Sequence, residues 1–408
     1  MKIGLAAKLR KLRSPGAIRN KLLPYLWFYL GGAALAAAVC RLRPVKRGKI
    51  VFYNMRGNSF GDHQKYITLE LLRRKSPVEI VWLASDPESF AKAAPDGIRV
   101  VRYDSFAALR ELSTAQMWCV NQSQSRFILR GLKKRTGQLY LQTYHGSLGI
   151  KRIGADRAGD GTVRLWERIL RLDASMIDYL VADSEWESRC VYSTRFFGCG
   201  EHKVFGHPRN DVFFRDNSAL VAGVRARLGL DSAERILFYA PTHRTNRRTD
   251  VIIRDLESLR AAASSRFGGE WRVMVRLHPN MLSYVGDLGF GASVVDATRY
   301  PDMQELLIAS DILVSDYSSC MFDFMLTRRP VFVHAPDLEE YQRVQGFYYP
   351  MSETPFPVAK TEAGLAENIA SFDEAKYRAG VDAFLKGKGC VEDGHATERV
   401  CDLIESLL

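Results

Sequence analysis

The feature that most constrains this chain is a series of short apolar runs alternating with amphipathic stretches, and the series occurs twice. We interpret the runs of the first series as buried strands, at residues 50–53, 78–83, 98–103, 117–120, 139–143 and 179–182. A polar, helix-like stretch follows over residues 218–230, and the second series then gives strands at residues 236–240, 271–276, 293–295, 312–314 and 331–333. Strands that alternate with helices predict parallel, doubly wound α/β sheets.

The length of 408 residues agrees with two such units, because one hydrophobic core rarely serves more than about 300 residues. We therefore predict an N-terminal α/β domain over residues 49–217, a C-terminal α/β domain over 218–375 and a helical tail over 376–408. Ligands of open parallel sheets bind beyond the carboxyl ends of the strands. The loops that follow the predicted strands, facing a cleft between the two units, are thus where we expect a site.

The net charge of +12 is confined to the N-terminus. Residues 1–50 contain twelve Lys or Arg and no Asp or Glu, which leaves 46 basic and 46 acidic residues in the remainder. A body without net charge gives no support to a globally basic nucleic-acid-binding protein, so we expect no nucleic-acid partner. The composition, 47% hydrophobic and 25% charged, is typical of globular proteins and excludes a disordered chain.

The basic region contains an uncharged run over residues 22–40 that includes an aromatic cluster at residues 25–29. As a helix this run would be about 28 Å long, close to the hydrocarbon thickness of a bilayer. A signal peptide, a spanning helix, an interfacial helix and a helix docked on the body are the alternatives. Aromatic side chains beside dense positive charge favour an interfacial helix. We predict that residues 1–48 attach the protein to anionic lipid at the cytoplasmic face of the cell membrane, and leave spanning open.

Cysteine use favours a reducing compartment. The chain has seven Cys, an odd number, and none are paired as C-x-x-C, so the pattern indicates neither a disulfide framework nor a zinc site. No acidic metal cluster is evident, and the chain lacks both the G-x-x-x-x-G-K-[ST] loop and the G-x-G-x-x-G motif. We therefore expect no metal and no cofactor, and ATPase and dinucleotide-binding functions lose support.

A histidine-containing loop follows the fifth strand of the first series. Gly146 and Gly149 allow tight backbone turns, and His145 can accept a proton near neutral pH, as a general base must. A histidine that only caps a helix or satisfies buried groups is the alternative. The two glycines and the neighbouring Lys151 favour function, so we take His145 as a candidate base and Gly146, Ser147 and Lys151 as candidate substrate-binding residues.

Three more polar clusters follow strand-like runs. The hydroxyl and guanidinium groups among them suit phosphate binding, although each cluster is also compatible with a structural turn or a helix cap. The candidate binding residues are Arg209 and Asn210 in the first cluster, Thr242 and Arg244 in the second, and Arg276 in the third, where His278 is a candidate catalytic residue.

The most distinctive cluster follows the strand at residues 312–314. Ser318 and Ser319 precede an apolar helical run that contains Asp323, and a helix N-terminus offers unpaired N–H groups and a positive dipole to phosphate. Simple capping of that helix by Asp316 or Ser318 is the alternative. Position and residue type together favour an anion site at Ser318 and Ser319, without naming the anion. We also take Asp316 as a candidate catalytic residue and Asp323 as a candidate substrate-binding residue.

The run Ser315–Asp323, continued by Arg329, Asp337 and Tyr341, resembles the CDP-glycerol:poly(glycerophosphate) glycerophosphotransferase family, whose enzymes make teichoic acid and related capsule polymers. Three further segments are similar to motifs of that family, in the family's order: Gly206–Asp211, Ala240–Arg244 and Arg276–Pro279. The resemblance spans roughly residues 50 to 402, and six motifs in register make it specific.

The chain also departs from the family pattern. Tyr144-His145-Gly146 is similar to a Trp-His-Gly motif, with Tyr for Trp, and Ser147 stands where Thr is usual. Residues 61–66 resemble a segment near the family's start, but His-Gln replaces the usual Asn-Pro after Asp62. Asp393-Gly394 and Arg399 are similar to the C-terminal signature.

The resemblance implies a GT-B fold, with two Rossmann-like domains facing a central cleft. It implies transfer of glycerol phosphate from CDP-glycerol, or of ribitol phosphate from CDP-ribitol, to a hydroxyl of a lipid-linked polymer acceptor, with loss of CMP. For such a reaction His145 is our candidate base. The groups that would stabilise the developing charge are Arg244, His278, Ser318, Ser319 and the helix after Asp316.

Two other functions stay open at this point. A GT-B sugar-nucleotide glycosyltransferase of surface glycan synthesis fits composition and architecture equally well, and only the motif set opposes it. A non-catalytic membrane scaffold with a degenerate site is disfavoured by the intact His145, His278, Asp316 and Ser318. The alditol, the polymer and the choice between primase and polymerase are not decided by the sequence.

Overall fold

The structure is a computed structural model that describes residues 38, 40–153, 163–244, 250–278 and 294–408. Within these ranges the first half of the chain forms a parallel sheet of seven strands in the order β3-β2-β1-β4-β5-β6-β7. Its strands are β1 Lys46–Tyr53, β2 Glu79–Ala84, β3 Ile98–Arg102, β4 Ala115–Val120, β5 Leu139–Gln142, β6 Tyr179–Ala182 and β7 Glu201–Val204.

The second half of the described chain forms a parallel sheet of six strands in the order β10-β9-β8-β11-β12-β13. Its strands are β8 Arg235–Tyr239, β9 Trp271–Val275, β10 Val294–Asp296, β11 Ile312–Ser315, β12 Val331–His334 and β13 Val358–Ala359. The predicted class, α/β with parallel sheets, is therefore confirmed. The strands assigned from the sequence do not include β7, of which only a strand-like run before Gly206 was noted, or β13.

Helices connect the strands and cover the sheets. The α-helices of the described ranges are α1 Asp62–Arg73, α2 Pro87–Ala91, α3 Phe106–Thr114, α4 Ser125–Ile128, α5 Val163–Ala174, α6 Ser193–Arg195, α7 Ser218–Leu228, α8 Leu256–Phe267, α9 Met303–Ile308, α10 Cys320–Phe324, α11 Leu338–Gln345, α12 Glu362–Ala370, α13 Glu374–Lys388 and α14 Ala396–Leu407. A π-helix spans Glu187–Tyr192, and 3₁₀ helices span Pro208–Phe214, Met325–Thr327 and Met351–Glu353. Of the helices described, none combines the length and apolar content needed to cross a bilayer.

Both faces of the first sheet are buried, which explains why its strands are continuous apolar runs. Successive side chains of β1 enter opposite cores: Val51 and Tyr53 pack on one face, and Ile50 and Phe52 on the other. The second sheet has its own core, to which Leu148 from the first half of the chain contributes. The core of the second sheet is therefore separate from the two cores that flank the first sheet. The loop that carries Leu148 reaches from the first unit into this second-unit core.

The chain passes between the two units more than once. Helix α13 packs into the core of the second unit through Tyr377 and Val381. Helix α14 then returns to the first unit, where Val400 and Ile404 are buried in the core beneath β1. The predicted tail over residues 376–408 is thus divided between the two units.

The first unit begins inside residues 1–48, the range predicted to attach to membranes. Strand β1 begins at Lys46, and Cys40 is already buried in the core of the first unit. Residues 1–37 and 39, which include most of the uncharged run, lie outside the described residues.

Candidate active site

A cavity of about 220 Å³ lies where the carboxyl ends of strands from both sheets face each other. The side chains that line it come from loops and short helices of both units. They are Asn54, Met55, Ser59, Asp62, His145, Arg209, Arg276, Pro301, Met303, Gln304, Ser318, Ser319, Cys320 and Asp323. This is the position in which parallel sheets bind their ligands.

Six of the side chains predicted from sequence line this cavity. They are His145, Arg209, Arg276, Ser318, Ser319 and Asp323. The other eight predicted site residues lie outside the lining. They are Gly146, Ser147, Lys151, Asn210, Thr242, Arg244, His278 and Asp316.

The backbone before His145 adopts a conformation that is uncommon for a residue with a side chain. Tyr144 has φ = 56°, in the left-handed region, which is costly for a bulky residue and is found mainly at functional sites. A Cβ atom on Gly146 would lie 2.3 Å from Cε1 of Tyr144, so only glycine fits there. The turn that follows β5 therefore fixes the position of His145 between two constrained neighbours.

His145 is oriented by one main-chain hydrogen bond. Its Nδ1 lies 2.9 Å from the carbonyl oxygen of Asn121, which can only accept, so Nδ1 carries the proton and Nε2 keeps its lone pair. Burial lowers the pKa of His145, against the opposing effects of the Asn121 hydrogen bond and of the Asp62 carboxylate. The ring is therefore neutral at pH 7 and able to accept a proton at Nε2.

The loop that carries His145 continues into the second unit. Lys151 pairs with Phe347 in an antiparallel bridge, and the hydroxyl of Tyr349 donates to the carbonyl of Leu148. At Gly149 a Cβ would lie only 3.6 Å from Cβ of Ser319. These contacts bring the candidate base to the same cavity as the serines of the second unit.

Arg209 lies at the centre of the contacts between the two units. It is 4% exposed. Its Nε donates to Asp323 at 3.0 Å, and its Nη1 donates to Asp62 at 3.0 Å and to the carbonyl of His145 at 3.1 Å. Its Nη2 donates to the carbonyl of Gly146. Since each guanidinium nitrogen already has a protein acceptor, Arg209 holds the His145 loop in place and has little capacity left for a phosphate.

Asp323 and Asn210 extend this network on the side of the second unit. Gln304 donates to Asp323 at 2.9 Å, and the amide of Asn210 donates to Asp323 at 3.3 Å and to Glu392 at 2.8 Å. Asn210 is fully buried. Besides the binding role predicted for them, Asn210 and Asp323 therefore join the chain segments behind the cavity by hydrogen bonds.

Arg244 and Asp316 form a second buried ion pair, 2.8 Å apart. Arg244 also binds Asp337 through two nitrogens, and its guanidinium lies 4.9 Å from the ring centroid of Tyr317. Asp316 accepts the backbone N–H of Thr242 at 2.9 Å. The charge of Arg244 is therefore compensated within the protein, and this group braces the loops after β8 and β11.

Two other cations carry no such compensation. Neither Arg276 nor Lys151 forms an ion pair with any residue in the described ranges, and burial lowers the pKa of both. The guanidinium of Arg276 contacts Sδ of Met303 at 3.3 Å. Both side chains are half-buried, and partly desolvated positive charge without an ion-pair partner is costly, so an anionic ligand relieves that cost.

His278 lies beside these cations, outside the cavity lining. Its ring stacks on His243 with 5.1 Å between the centroids. Burial lowers the pKa of His278, and the positive groups at His243, Arg276 and Lys151 lower it further. The neighbouring cations thus favour a neutral ring at His278.

Ser318 and Ser319 are half-buried and begin helix α10. Ser319 is the N-cap residue, yet its side chain makes no capping hydrogen bond. Asp316 and Ser318 are not the cap, so the alternative that either of them simply caps the helix does not apply here. The hydroxyl of Ser319 therefore faces the cavity without a capping partner.

Sequence reasoning missed several lining residues, of which Asp62 is the most informative. Asp62 has φ = 58° and begins helix α1, and its Oδ2 accepts a hydrogen bond from Asn121 at 2.7 Å. Although burial opposes it, His63 and Arg209 lower the pKa of Asp62 and keep it ionised. The sequence did contain a signal for Asp62, because it is a carboxylate soon after the first strand, β1, whose carboxyl end lies at the cavity.

Known proteins that are similar in sequence to this chain include teichoic acid polymerases and a teichoic acid primase. The teichoic acid poly(glycerol phosphate) polymerase of Staphylococcus epidermidis is 28% identical over 88% of this chain and 51% of that protein. The protein of the same name from Bacillus subtilis is 28% identical over 98% of this chain and 53% of that protein. This chain spans about half the length of these two relatives. The teichoic acid ribitol-phosphate primase of Bacillus spizizenii is 26% identical over 90% of this chain and 93% of that protein.

A solved structure of the wall teichoic acid polymerase TagF superimposes with a TM-score of 0.80 and 26% identity, over 97% of this chain and 98% of that one. A TagF variant soaked with CDPG superimposes with a TM-score of 0.81. The profile of the CDP-Glycerol:Poly(glycerophosphate) glycerophosphotransferase family matches residues 35–406. The chain belongs to this family.

Proposed function

We propose that this chain transfers glycerol phosphate or ribitol phosphate from a CDP-alditol to a hydroxyl of a teichoic-acid-like or capsule polymer, with release of CMP. The observation that carries the proposal is one cavity in which a neutral His145 faces Arg276, Ser318 and Ser319. Relatives named as glycerol-phosphate polymerases and as a ribitol-phosphate primase support both alditols. The TagF structure soaked with CDPG agrees with a donor of this class.

In the proposed reaction the acceptor hydroxyl attacks the phosphorus that bears the alditol. A new P–O bond forms to the acceptor, the bond from that phosphorus to the oxygen bridging to CMP breaks, and CMP leaves with the bonding electron pair. Nε2 of His145 takes the proton of the hydroxyl, which its neutral state permits. General-base assistance of this kind contributes about 10²–10⁴-fold to the rate.

The donor side of the cavity would bind the diphosphate. Arg276 offers a half-buried charge without an ion-pair partner in the described residues, and Ser318 and Ser319 offer hydroxyl donors just before α10. Negative charge grows on the transferred group and on CMP as the bond breaks, so donors that are already in place lower the barrier. Lys151 adds positive potential from behind the lining, and the lowered pKa of His278 leaves its ring neutral beside it.

The GT-B arrangement is part of this proposal. Two parallel sheets with their carboxyl ends at a shared cavity support it. Incubation of the purified protein with CDP-glycerol, CDP-ribitol and UDP-sugars, each with a polymer acceptor, tests the donor class. We expect CMP release from a CDP-alditol alone. UDP release would instead favour a glycosyltransferase, and absence of nucleotide binding in calorimetry would favour a non-catalytic scaffold.

We further propose that residues 1–48 attach the enzyme to anionic lipid at the cytoplasmic face of the cell membrane, where a lipid-linked acceptor is available. The support is the twelve basic and no acidic residues of the first fifty, next to an aromatic cluster. Cys40 is buried and β1 begins at Lys46, so the truncated protein that tests this proposal should lack residues 1–37 and start at residue 38.

The test is co-sedimentation with phosphatidylglycerol vesicles and, as a control, phosphatidylcholine vesicles. We expect the full chain to sediment with the anionic vesicles only, and the truncated chain to stay in solution while still releasing CMP. A full chain with the Lys and Arg of residues 1–21 replaced by Gln is the matched variant. Sedimentation of the truncated chain with anionic vesicles would contradict the attachment proposal and leave the donor chemistry untouched.

A further inference from the structure

A second cluster of metal-ligating side chains lies beneath the His145 loop, outside the cavity. Asp183 follows β6, Glu187 begins the π-helix, and His207 precedes the 3₁₀ helix Pro208–Phe214. The three side chains are at most 1% exposed. One ligand atom from each, taken together, all lie within 4.8 Å of one another.

The polar groups of this cluster are only partly satisfied. Asp183 accepts hydrogen bonds from the hydroxyls of Ser147 at 2.8 Å and Ser184 at 2.7 Å. Oε1 of Glu187 and both ring nitrogens of His207, by contrast, have no hydrogen-bond partner among the described residues. Nε2 of His207 lies 3.0 Å from Oε2 of Glu187, and Nδ1 lies 3.7 Å from Oδ2 of Asp183, without hydrogen-bonding geometry. A fully buried imidazole therefore points into a group of carboxylates and lacks the bonds it needs.

The charge of the cluster is also uncompensated. No Lys or Arg within the described ranges forms an ion pair with Asp183 or Glu187. Two carboxylates in the dry interior require a counter-charge, which a divalent cation supplies.

We propose that Asp183, Glu187 and His207 bind one divalent transition-metal ion, of the class of Mn²⁺ or Zn²⁺. Two carboxylate oxygens and one imidazole nitrogen are ligands these ions accept, whereas Mg²⁺ and Ca²⁺ prefer oxygen alone. The orphaned atoms of Glu187 and His207 would become ligands, and the serines that already bind Asp183 would orient it from outside. Through Ser147, two residues from His145, the ion would stabilise the loop that carries the candidate base.

The experiment measures metal content and thermal stability and does not depend on transferase activity. The full-length protein is stripped with a chelator, incubated with Mn²⁺ or with Zn²⁺, freed of excess ion and analysed by elemental mass spectrometry. We expect roughly one tightly bound ion per chain and a higher Tm for the loaded protein than for the stripped one. Asp183→Asn and Glu187→Gln should lose both the ion and the Tm difference while keeping the circular dichroism of the fold.

Asp173→Asn is the matched control, because Asp173 is also a buried carboxylate but accepts its hydrogen bonds from Gln124 and Tyr140 and has no second ligand beside it. We expect this variant to bind the ion as the unmodified chain does. Absence of bound Mn²⁺ and Zn²⁺ from the unmodified chain, with no change in Tm, would overturn the proposal and indicate that the cluster shares protons instead. Retention of the ion by both Asp183→Asn and Glu187→Gln would also overturn it.

Discussion

The guanidinium of Arg209 and the carboxylate of Asp323 form a buried ion pair that joins the two units, with nitrogen–oxygen distances of 3.0 and 3.3 Å. Both side chains are 4% exposed. Arg209 comes from the segment that follows the first sheet, and Asp323 comes from α10 of the second unit. On its other side Arg209 holds Asp62 and the carbonyl of His145, so this one pair sets the position of the candidate base relative to the donor side of the cavity.

Arg209→Ala should both destabilise the protein and abolish transfer. Removing one partner of a buried ion pair leaves the other charge uncompensated and costs about 3–5 kcal/mol. Urea unfolding measures the loss. Arg126→Ala is the control, since the side chain of Arg126 is 45% exposed and that of its partner Asp104 is 47% exposed, and such surface pairs contribute about 0–1 kcal/mol. Equal urea midpoints for the two variants would contradict the central role of Arg209.

His145→Ala should reduce kcat by about 10²–10⁴-fold, the range that a general base supplies. Binding of the CDP-alditol should persist, because the donor contacts come from Arg276, Ser318 and Ser319. Turnover assays and calorimetry with CDP-glycerol separate the two effects. His395→Ala, at a solvent-exposed histidine, is the control. Near-normal turnover in His145→Ala would remove His145 from the role of base.

The pH dependence of kcat/KM should reflect the lowered pKa of His145. A base must be unprotonated, so activity should hold below the ordinary histidine pKa of 6.5 and fall only as the pH drops through the lower value. The Asp62 carboxylate raises the pKa of His145, whereas Arg209 lowers it. Asp62→Asn should therefore move the acid limb of the profile to still lower pH.

The control for this shift is Asp104→Asn, at a surface carboxylate that pairs with Arg126, which should leave the acid limb in place. Movement of the limb to higher pH in Asp62→Asn would show that another group titrates in that range.

Gly146→Ala should disrupt the His145 loop. The new Cβ would lie 2.3 Å from Cε1 of Tyr144, so the ring and the left-handed turn must shift. Overpacking of this kind costs about 1–3 kcal/mol, and a misplaced base costs on the order of 10²-fold in rate. Gly223→Ala, in α7, is the matched control because a Cβ there meets nothing within 4 Å. That variant should gain about 0.5–1 kcal/mol of stability.

Arg276→Ala should weaken binding of the CDP-alditol because it removes a cavity-lining cation that has no ion-pair partner among the described residues. We expect KM for the donor to rise about 10–100-fold, the loss of one charged hydrogen bond of about 1.5–3 kcal/mol. Arg272→Ala, in the strand β9 that ends just before Arg276 but paired with Glu234 at 2.6 Å, is the control. Steady-state kinetics with varied donor concentration distinguishes them, and an unchanged donor KM in Arg276→Ala would place the diphosphate elsewhere.

The parallel α/β class could be predicted because each buried strand carries apolar side chains on both faces, as β1 does. Strand β7 escaped prediction because it lies at the sheet edge and reads Glu201-His202-Lys203-Val204, with few apolar residues to reveal it. Strand β13 has two residues, too few for any periodicity. Both misses concern the edges of the sheets, where burial no longer dictates the residue type.

The sequence predicted where the candidate site lies better than it predicted which side chains form ion pairs with each other there. His145 and Ser319 were found because each follows a strand at the carboxyl end of its sheet. Nothing in residue type distinguishes Arg209 and Arg244, whose charges are compensated, from Arg276, whose charge is not. That difference depends on partners such as Asp62, 147 positions from Arg209, which only the folded chain brings together.

The return of α14 to the first unit has a consequence for biosynthesis. Ile404 of α14 and Ile67 of α1 belong to the same core, although the whole second unit is synthesised between them. While the ribosome is still adding the second unit, the apolar face of α1 is exposed and available to chaperones or to aggregation. The first unit to be synthesised is therefore the last to be completed, and a nascent chain arrested before residue 396 should remain sensitive to proteases at its N-terminal half.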